Sequence, residues 1–302
     1  MSGMGRERGT RRGKPNGRDA PSGVVLRPAS TDVAVGVARI LPDLDRPGAA
    51  VLTVGDAPQS HVDLTDPSRL EFEYVQRLAH LADITFPAGA PVRALHLGAG
   101  GLTLARYLAH TRPGSTQLAV DFDEALVTFV REHLPWDRRW RLRVRTGDAR
   151  AVLASRPPNS ADLIVSDVFA VARTPAHVTT VEYVQAVAKA LRPAGVYAAN
   201  IADGAPLDFS RGQAAALCAV FPHVALIAEP SVLRRRRFGN LVLAGSRAEL
   251  PAPELARLVA ADPFPARVIA DDDLDLWIGD AQAPTDADAT DSPAPPPDAF
   301  QV

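Results

Sequence analysis

Apolar positions along this chain change rhythm twice. Between residues 33 and 64, apolar and polar side chains alternate in the short runs Val33–Ile40, Ala50–Val54 and His61–Leu64, interrupted by Asp43, Pro47, Gly48 and Pro58. Alternation bounded by turn formers predicts β-strands. Over about 69–84 the spacing becomes helical, with Leu70, Tyr74, Leu78 and Leu81 on one face. From Arg93 onward, strand-like runs alternate with helical ones. The strands are Ala94–Leu97, Gln117–Val120, Leu142–Arg145, Leu163–Ser166, Val196–Asn200, Val224–Ala228 and Leu241–Ala244. Helices are expected at 102–110, at 124–133 and before Val196, the last opened by a capping box of Thr179 with Glu182. This βαβα rhythm predicts an α/β fold with a parallel sheet covered by helices on both faces. A small N-terminal β domain over 24–68 precedes the main domain over 69–279.

The ends of the chain have no such rhythm. Residues 1–23 are rich in Gly, Arg and Pro, and those from 280 to 302 in Asp, Ala and Pro. Neither can repay the entropy of ordering by burying apolar surface, so both are expected to be disordered. The net charge of −2 hides their asymmetry. Residues 1–19 hold six basic and two acidic residues, and 271–302 hold nine aspartates and no basic residue, which leaves the body slightly positive. A solvated tail is favoured over a nucleic-acid contact for the basic end.

Composition removes several classes. Cys218 is the single cysteine, which excludes an intrachain disulfide framework and a cysteine-based zinc site. No run is long and apolar enough for a spanning helix, and the N-terminus has no apolar signal core, so a cytoplasmic, non-membrane protein is expected. His61, His96, His177 and His223 have no metal-ligand spacing and no metal is assigned. Trp136, Trp140 and Trp277 read as packing residues, and Arg234–Arg237 as a solvated turn. No G-x-S-x-G elbow supports hydrolase chemistry.

In an open α/β sheet, ligands bind beyond the carboxyl ends of the strands. Three features lie there in chain order. Leu97-Gly98-Ala99-Gly100-Gly101 follows the first strand of the main domain and opens a helix, which allows close backbone approach to a ligand. Asp121 ends the second strand, where a carboxylate can take ribose hydroxyls, and Asp148 follows the third, where one can accept from an exocyclic purine amine. Either aspartate could instead cap the next helix. Their order resembles the Rossmann-like class I fold of S-adenosylmethionine-dependent methyltransferases. Thr103 breaks the G-x-G-x-x-G pattern of a nicotinamide site.

A narrower resemblance emerges at the fourth strand. Asp162-Leu163-Ile164-Val165-Ser166-Asp167 is similar to the strand that delivers the catalytic aspartate in spermidine synthases, the polyamine aminopropyltransferases. Val120-Asp121-Phe122-Asp123 with Leu134-Pro135, and Leu70-Glu71-Phe72-Glu73-Tyr74 with His80, resemble two further segments of that family. The likeness covers roughly residues 35–245. It implies aminopropyl transfer from decarboxylated S-adenosylmethionine to an amine such as putrescine, in a homodimer. Asp167 would take the amine's proton, and Gln59 and Tyr74 would position the acceptor. Gly98 and Gly100 would pass the donor, with Asp121 on its ribose and Asp148 on its adenine. The family's amine-binding aspartate is replaced by Gly101, a second loop aspartate by Ala170, and a polar residue of the substrate helix by Val75. Two alternatives follow from those losses. One is a methyltransferase that holds the carboxylate of S-adenosylmethionine on N–H groups near Gly100 and Gly101. The other is a non-catalytic scaffold. The loop Val168–Val178 is expected to lie over the donor site as a lid, with His177 at its edge.

Overall fold

A computed structural model describes residues 25–170 and 172–296; the expected basic tail, residues 1–23, lies outside them. The N-terminal unit is an antiparallel meander of β1 (Ala29–Val33), β2 (Gly36–Pro42), β3 (Ala49–Val54) and β4 (Ala57–Asp63). The run Val33–Ile40, predicted as one strand, is a hairpin in which Val33 pairs with Gly36. Alternation survives a two-residue turn, so periodicity alone does not reveal it. Gly36 carries the turn at φ +115°, where a side chain would be strained.

Helix α1 (Glu73–Thr85) begins later than the predicted 69, because Phe72 before it is extended. The chain then runs through β5 (Arg93–Leu97), α2 (Thr103–Thr111), β6 (Thr116–Asp121), α3 (Glu124–His133), β7 (Arg141–Thr146), α4 (Ala149–Ala154) and β8 (Ala161–Ser166). Next come α5 (Val181–Ala190), β9 (Leu191–Asp203), α6 (Asp208–Cys218), β10 (His223–Ala228), α7 (Pro230–Leu233) and β11 (Gly239–Ser246). Helix α8 (Ala252–Ala260), β12 (Arg267–Ala270) and α9 (Asp271–Ile278) complete the body. The eight strands β5–β12 form one sheet in the order β12-β10-β11-β9-β8-β5-β6-β7.

The sheet is not wholly parallel as the rhythm predicts. Strands β7, β6, β5, β8 and β9 are parallel, whereas β11 pairs antiparallel with both β9 and β10, and β12 pairs antiparallel with β10. The link from β10 to β11 is only the single short helix α7 and the arginine turn, a return between neighbouring strands and not a crossover to a parallel one. The chain reverses direction across the sheet at β5, with β6 on one side and β8 on the other, which places the switch point at the end of β5.

Two apolar layers cover the sheet. Val152, Val184, Leu217 and Leu274 from α4, α5, α6 and α9 fill one face, and Leu78, Leu108 and Leu255 from α1, α2 and α8 fill the other. The meander packs Ile40, Leu52 and Val62 against Leu126, Phe129 and Val130 of α3. Asp123 joins the two units: it caps α3 through Leu126 N (3.0 Å) and accepts the N–H of Ala34 in the β1–β2 turn (2.7 Å).

Two further expectations are corrected. Thr180, not Thr179, caps α5, accepting from Tyr183 N at 3.1 Å, while the Thr179 hydroxyl donates to Ala176 O. Residues 280–296 of the acidic tail do not hang free but pack on the body through ion pairs and hydrogen bonds, including Arg150 with Asp286 and Thr174 with Ser292. These bonds supply what the segment's scarce apolar area cannot. No helix among the described residues is long and apolar enough to cross a membrane.

Arg106 on α2 couples the glycine loop to the end of α3. Its guanidinium donates to Gly101 O and Pro135 O at 3.0 Å, donates also to Leu134 O, and lies 5.8 Å from the centre of the Trp136 ring. Burial lowers its pKa to about 10. Arg106→Met strips these carbonyls of their donor and is expected to destabilise the fold by on the order of 3 kcal/mol in urea denaturation.

Candidate active site

The parallel strands end together over a cavity of about 900 Å³ bounded on its other side by the meander and α1. The pairing of the strands continues one residue past their ends: Gly98 N donates to Val120 O, Asp167 N to Leu97 O and Gly147 N to Asp121 O, all at 2.7–2.8 Å. Gly98 lies at φ +92°, and a Cβ there would come within 2.0 Å of the Asp167 carbonyl oxygen. Only glycine fits this position. The absent side chain therefore seats Asp167 against the start of the glycine loop.

Each of the residues assigned from sequence lines this one cavity: Gln59, Tyr74, Gly98, Gly100, Asp121, Asp148 and Asp167. Asp167 is half-buried at the cavity wall, and desolvation pushes its carboxyl up to about 6, with the nearby Asp121 charge adding to the rise. A hydrogen bond from Asn200 Nδ2 (2.8 Å) and the nearby Tyr74 hydroxyl oppose the shift. Tyr74 also lies 3.3 Å from the carbonyl of Gln59, to which it donates, and burial followed by the Asp167 charge drives its phenol well above the usual range. Gln59 therefore meets Tyr74 through its backbone.

Asp121 and Asp148 both serve the scaffold as well as the cavity. Asp121 Oδ2 accepts from Ala99 N (3.0 Å) and Gly100 N (3.4 Å), and its Oδ1 accepts from Asp123 N (3.1 Å). Burial outweighs these bonds and raises its pKa. A carboxylate has about four lone-pair directions, so room for a hydroxyl donor remains. Asp148 caps α4 through Ala151 N (2.7 Å), and its other oxygen accepts from His177 Nε2 (2.9 Å). Burial acts to raise the Asp148 carboxyl, but the bonds from Ala151 and His177 hold it below the ordinary value.

Gly101 stands where the resemblance places an amine-binding aspartate, and the structure gives the reason. A Cβ at Gly101 would come within 2.8 Å of both Ser60 Cβ and Val62 Cγ2 on β4. Ser60 Oγ accepts the Gly101 N–H at 2.9 Å. The N–H groups of Gly100 and Gly101, which the methyltransferase alternative leaves free for a donor carboxylate, are thus already engaged by Asp121 and Ser60. Ala170 is paired with Arg173 in a tight turn, and Val75 is buried against the core.

Sequence reasoning missed two site residues. Asn200 interrupts the apolar run of β9, and a lone amide in a buried strand is the signal that could have marked it. Its Oδ1 is buried without a hydrogen-bond partner. Ser60 carries no such signal, because its role depends on how the two sheets meet. The arginine run is exposed as expected for a turn, but Arg237 also rims the cavity, where it pairs with Glu229 at 3.4 Å. Six carboxylates line the cavity (Asp56, Glu73, Asp121, Asp123, Asp148 and Asp167) against this one arginine. The slightly positive body conceals an acidic pocket.

A sheet covered on both faces by helices, with a strand-end cavity and a meander over its mouth, defines the class I methyltransferase-like fold. Human methyltransferase-like protein 13, solved in complex with SAH, shares the fold at a TM-score of 0.50 and 24% identity, over 62% of this chain and 89% of that one. A probable spermidine synthase from Corynebacterium glutamicum ATCC 13032 superposes at a TM-score of 0.79 with 33% identity, over 85% of this chain and 96% of its own. The chain belongs to the spermidine synthase family. A polyamine aminopropyltransferase of Aeropyrum pernix is 34% identical over 138 residues; the match spans 42% of each chain, less than half the length of that curated relative. No family model matches.

Gly101→Asp will not rebuild the missing carboxylate site: the clash with β4 is expected to lower stability by on the order of 2 kcal/mol in urea denaturation, with no gain in donor affinity by calorimetry. Asp167 makes a second, opposite prediction. Its raised pKa means that folding favours the neutral form, so the ionised carboxylate costs stability at pH 7, and the cost vanishes as pH falls through about 6 towards 4. Asp167→Asn is therefore expected to be more stable than the parent at pH 7 by on the order of 3 kcal/mol, and no more stable at pH 4, in parallel melts.

Proposed function

We propose that this protein transfers an aminopropyl group from decarboxylated S-adenosylmethionine to an amine acceptor such as putrescine. The observation that carries the reading is the Asp167 carboxylate, which lines the cavity at the strand end beside the glycine loop, bonded by Asn200 and facing Tyr74. In this reaction the amine lone pair forms a bond to the carbon attached to the sulfonium. The C–S bond breaks, its electron pair stays on sulfur, and the neutral thioether leaves. The attacking nitrogen must be unprotonated when it attacks and must lose a proton afterwards.

Asp167 is suited to both proton steps. With its pKa raised to about 6, it is ionised at neutral pH yet more basic than an ordinary carboxylate. Asn200 Nδ2 fixes the direction of its Oδ1, and the unpartnered Asn200 Oδ1 is available to accept an N–H of the acceptor. Tyr74 closes the other side. On this reading these contacts serve to hold nitrogen and carbon in line, a contribution that proximity and orientation supply.

The electrostatics favour this donor. Both partners are cations, and six carboxylates around the cavity replace the hydration they lose on entering. The donor carboxylate of S-adenosylmethionine would meet no unengaged N–H at Gly100 or Gly101 and would face these like charges. On this reading Asp121 takes the ribose hydroxyls, Asp148 with His177 meets the adenine end, and Gly98 and Gly100 give the donor a backbone surface to lie against; that all five line one cavity supports it.

Calorimetry with the two donors tests the reading, together with turnover on putrescine. Decarboxylated S-adenosylmethionine should bind at least about tenfold more tightly than S-adenosylmethionine, a margin expected from one repelled charge; the reverse order would replace aminopropyl transfer with methylation. Asp167→Asn should lower kcat by roughly 10²–10⁴-fold while donor Kd changes by less than about threefold. The parent's rate should rise with pH through about 6 as Asp167 ionises, and the variant's residual rate should lack that limb.

A further inference from the structure

The acidic C-terminal segment, expected to be free, is bonded along its length to the stretch that follows Asp167. Val181 N donates to Pro284 O (2.9 Å) and Asp286 N to Glu182 Oε2 (3.0 Å). Ala176 N donates to Asp291 Oδ1 (2.9 Å). Ser292, fully buried, exchanges bonds with Thr174 in both directions: its N–H donates to Thr174 O, and its Oγ accepts from Thr174 N, each at 2.9 Å. Arg173 Nε adds a bond to Ser292 O at 2.5 Å.

The stretch so held, Arg173–Val181, contains only a short 3₁₀ turn at Ala176–Val178 and no strand of either sheet. Its place over the cavity is set from two sides: Val178, Thr179 and Thr180 are buried against the body and Gln213 Nε2 donates to Thr179 O (2.9 Å), while the C-terminal segment holds Arg173–Ala176. The stretch carries His177, whose Nε2–H donates to Asp148 Oδ2. Arg150 ties the parts together. Its Nη1 donates to His177 O (2.9 Å), and its two terminal nitrogens grip both oxygens of Asp286 at 2.7 and 2.6 Å. A continuous path of polar contacts runs from the C-terminal segment through Arg150 and His177 to Asp148. Asp148 and His177 both line the cavity at the adenine end.

We infer that residues 282–292 form a strap that positions His177 on Asp148, and that this pair is the wall against which the adenosine portion of the donor seats. The inference rests on the donor site proposed above. His177 is a positioning residue: it holds one oxygen of Asp148 while Ala151 N holds the other, so the carboxylate cannot turn away from the cavity. The strap is built from groups that work at the surface, carboxylates meeting two arginines, with Ser292 as its one fully buried anchor. Half-exposed ion pairs are individually weak, so the strap depends on the set of contacts acting together.

The test uses the full chain with Asp286→Asn, Asp291→Asn and Ser292→Ala combined, and separately His177→Ala and His177→Gln. The ligand is 5′-methylthioadenosine, which has the adenosine portion but neither the aliphatic amine nor the carboxylate of the donor tails, so its affinity is independent of the donor's tail. Two readouts are taken: calorimetric Kd, and the rate of tryptic cleavage after Arg173, with circular dichroism melts to verify folding. The strap variant is expected to be cleaved faster and to bind about tenfold more weakly, the loss set by one charge-assisted hydrogen bond. His177→Ala should show a similar affinity loss without faster cleavage. His177→Gln, whose amide can still donate to Asp148, should recover most of it. Combining the strap substitutions with His177→Ala should weaken binding no further than either alone. Faster cleavage with unchanged Kd, or fully additive losses, overturns the inference. If the parent itself fails to bind the probe, the donor reading falls and the positioning of adenosine with it, whereas unchanged cleavage after Arg173 in the strap variant removes the strap alone.

Discussion

The missing side chain of Gly98 is the constraint on which the site depends. Strands β5 and β8 lie side by side, and their ends can converge only because nothing projects from Gly98 towards the Asp167 carbonyl. That approach sets the direction of the glycine loop and the position of the Asp167 side chain at once. A glycine read from sequence as a place for ligand to pass is thus equally a place for backbone to pass. The donor end and the proton-accepting group are parts of one packing arrangement.

Asp121, Asp123 and Asp148 show why a choice between structural and functional roles was the wrong question. Asp148 caps α4, and its second oxygen accepts from His177 at the cavity wall. Asp121 braces Ala99 and Gly100 while lining the same cavity. Two residues on, Asp123 caps α3 and holds the β1–β2 turn. Carboxylates at strand ends have enough lone pairs to satisfy nearby N–H groups and still present an edge to a ligand. The scaffolding bonds fix that edge before any ligand arrives.

What was legible in the sequence was what local pattern controls. The seven strands from Ala94 to Ala244, three of the helices among them, and the residues at the strand ends follow from periodicity and from the rule that sites gather there, whereas α4, α6, α8, α9 and β12 are not marked by it. The features that escaped depend on distant partners. The reversal of β11 follows from the short link through α7, which strand-like composition does not encode. The β1–β2 hairpin keeps an alternating pattern through its turn. The C-terminal segment lacks the apolar residues by which ordered chain is recognised, yet Asp286 and Asp291 find Arg150 and Arg173 more than a hundred positions earlier. Net charge misled for a related reason: a sum over the body says nothing about the six carboxylates gathered at one cavity.

The contact of Gly101 with Ser60 and Val62 has a consequence for descent. In the pattern that this chain otherwise resembles, position 101 is an aspartate; here β4 of the other sheet occupies the space that its side chain would need. An aspartate at position 101 needs accompanying change at Ser60 or Val62 on another element, because Gly101→Asp alone meets the clash: these positions can change only together.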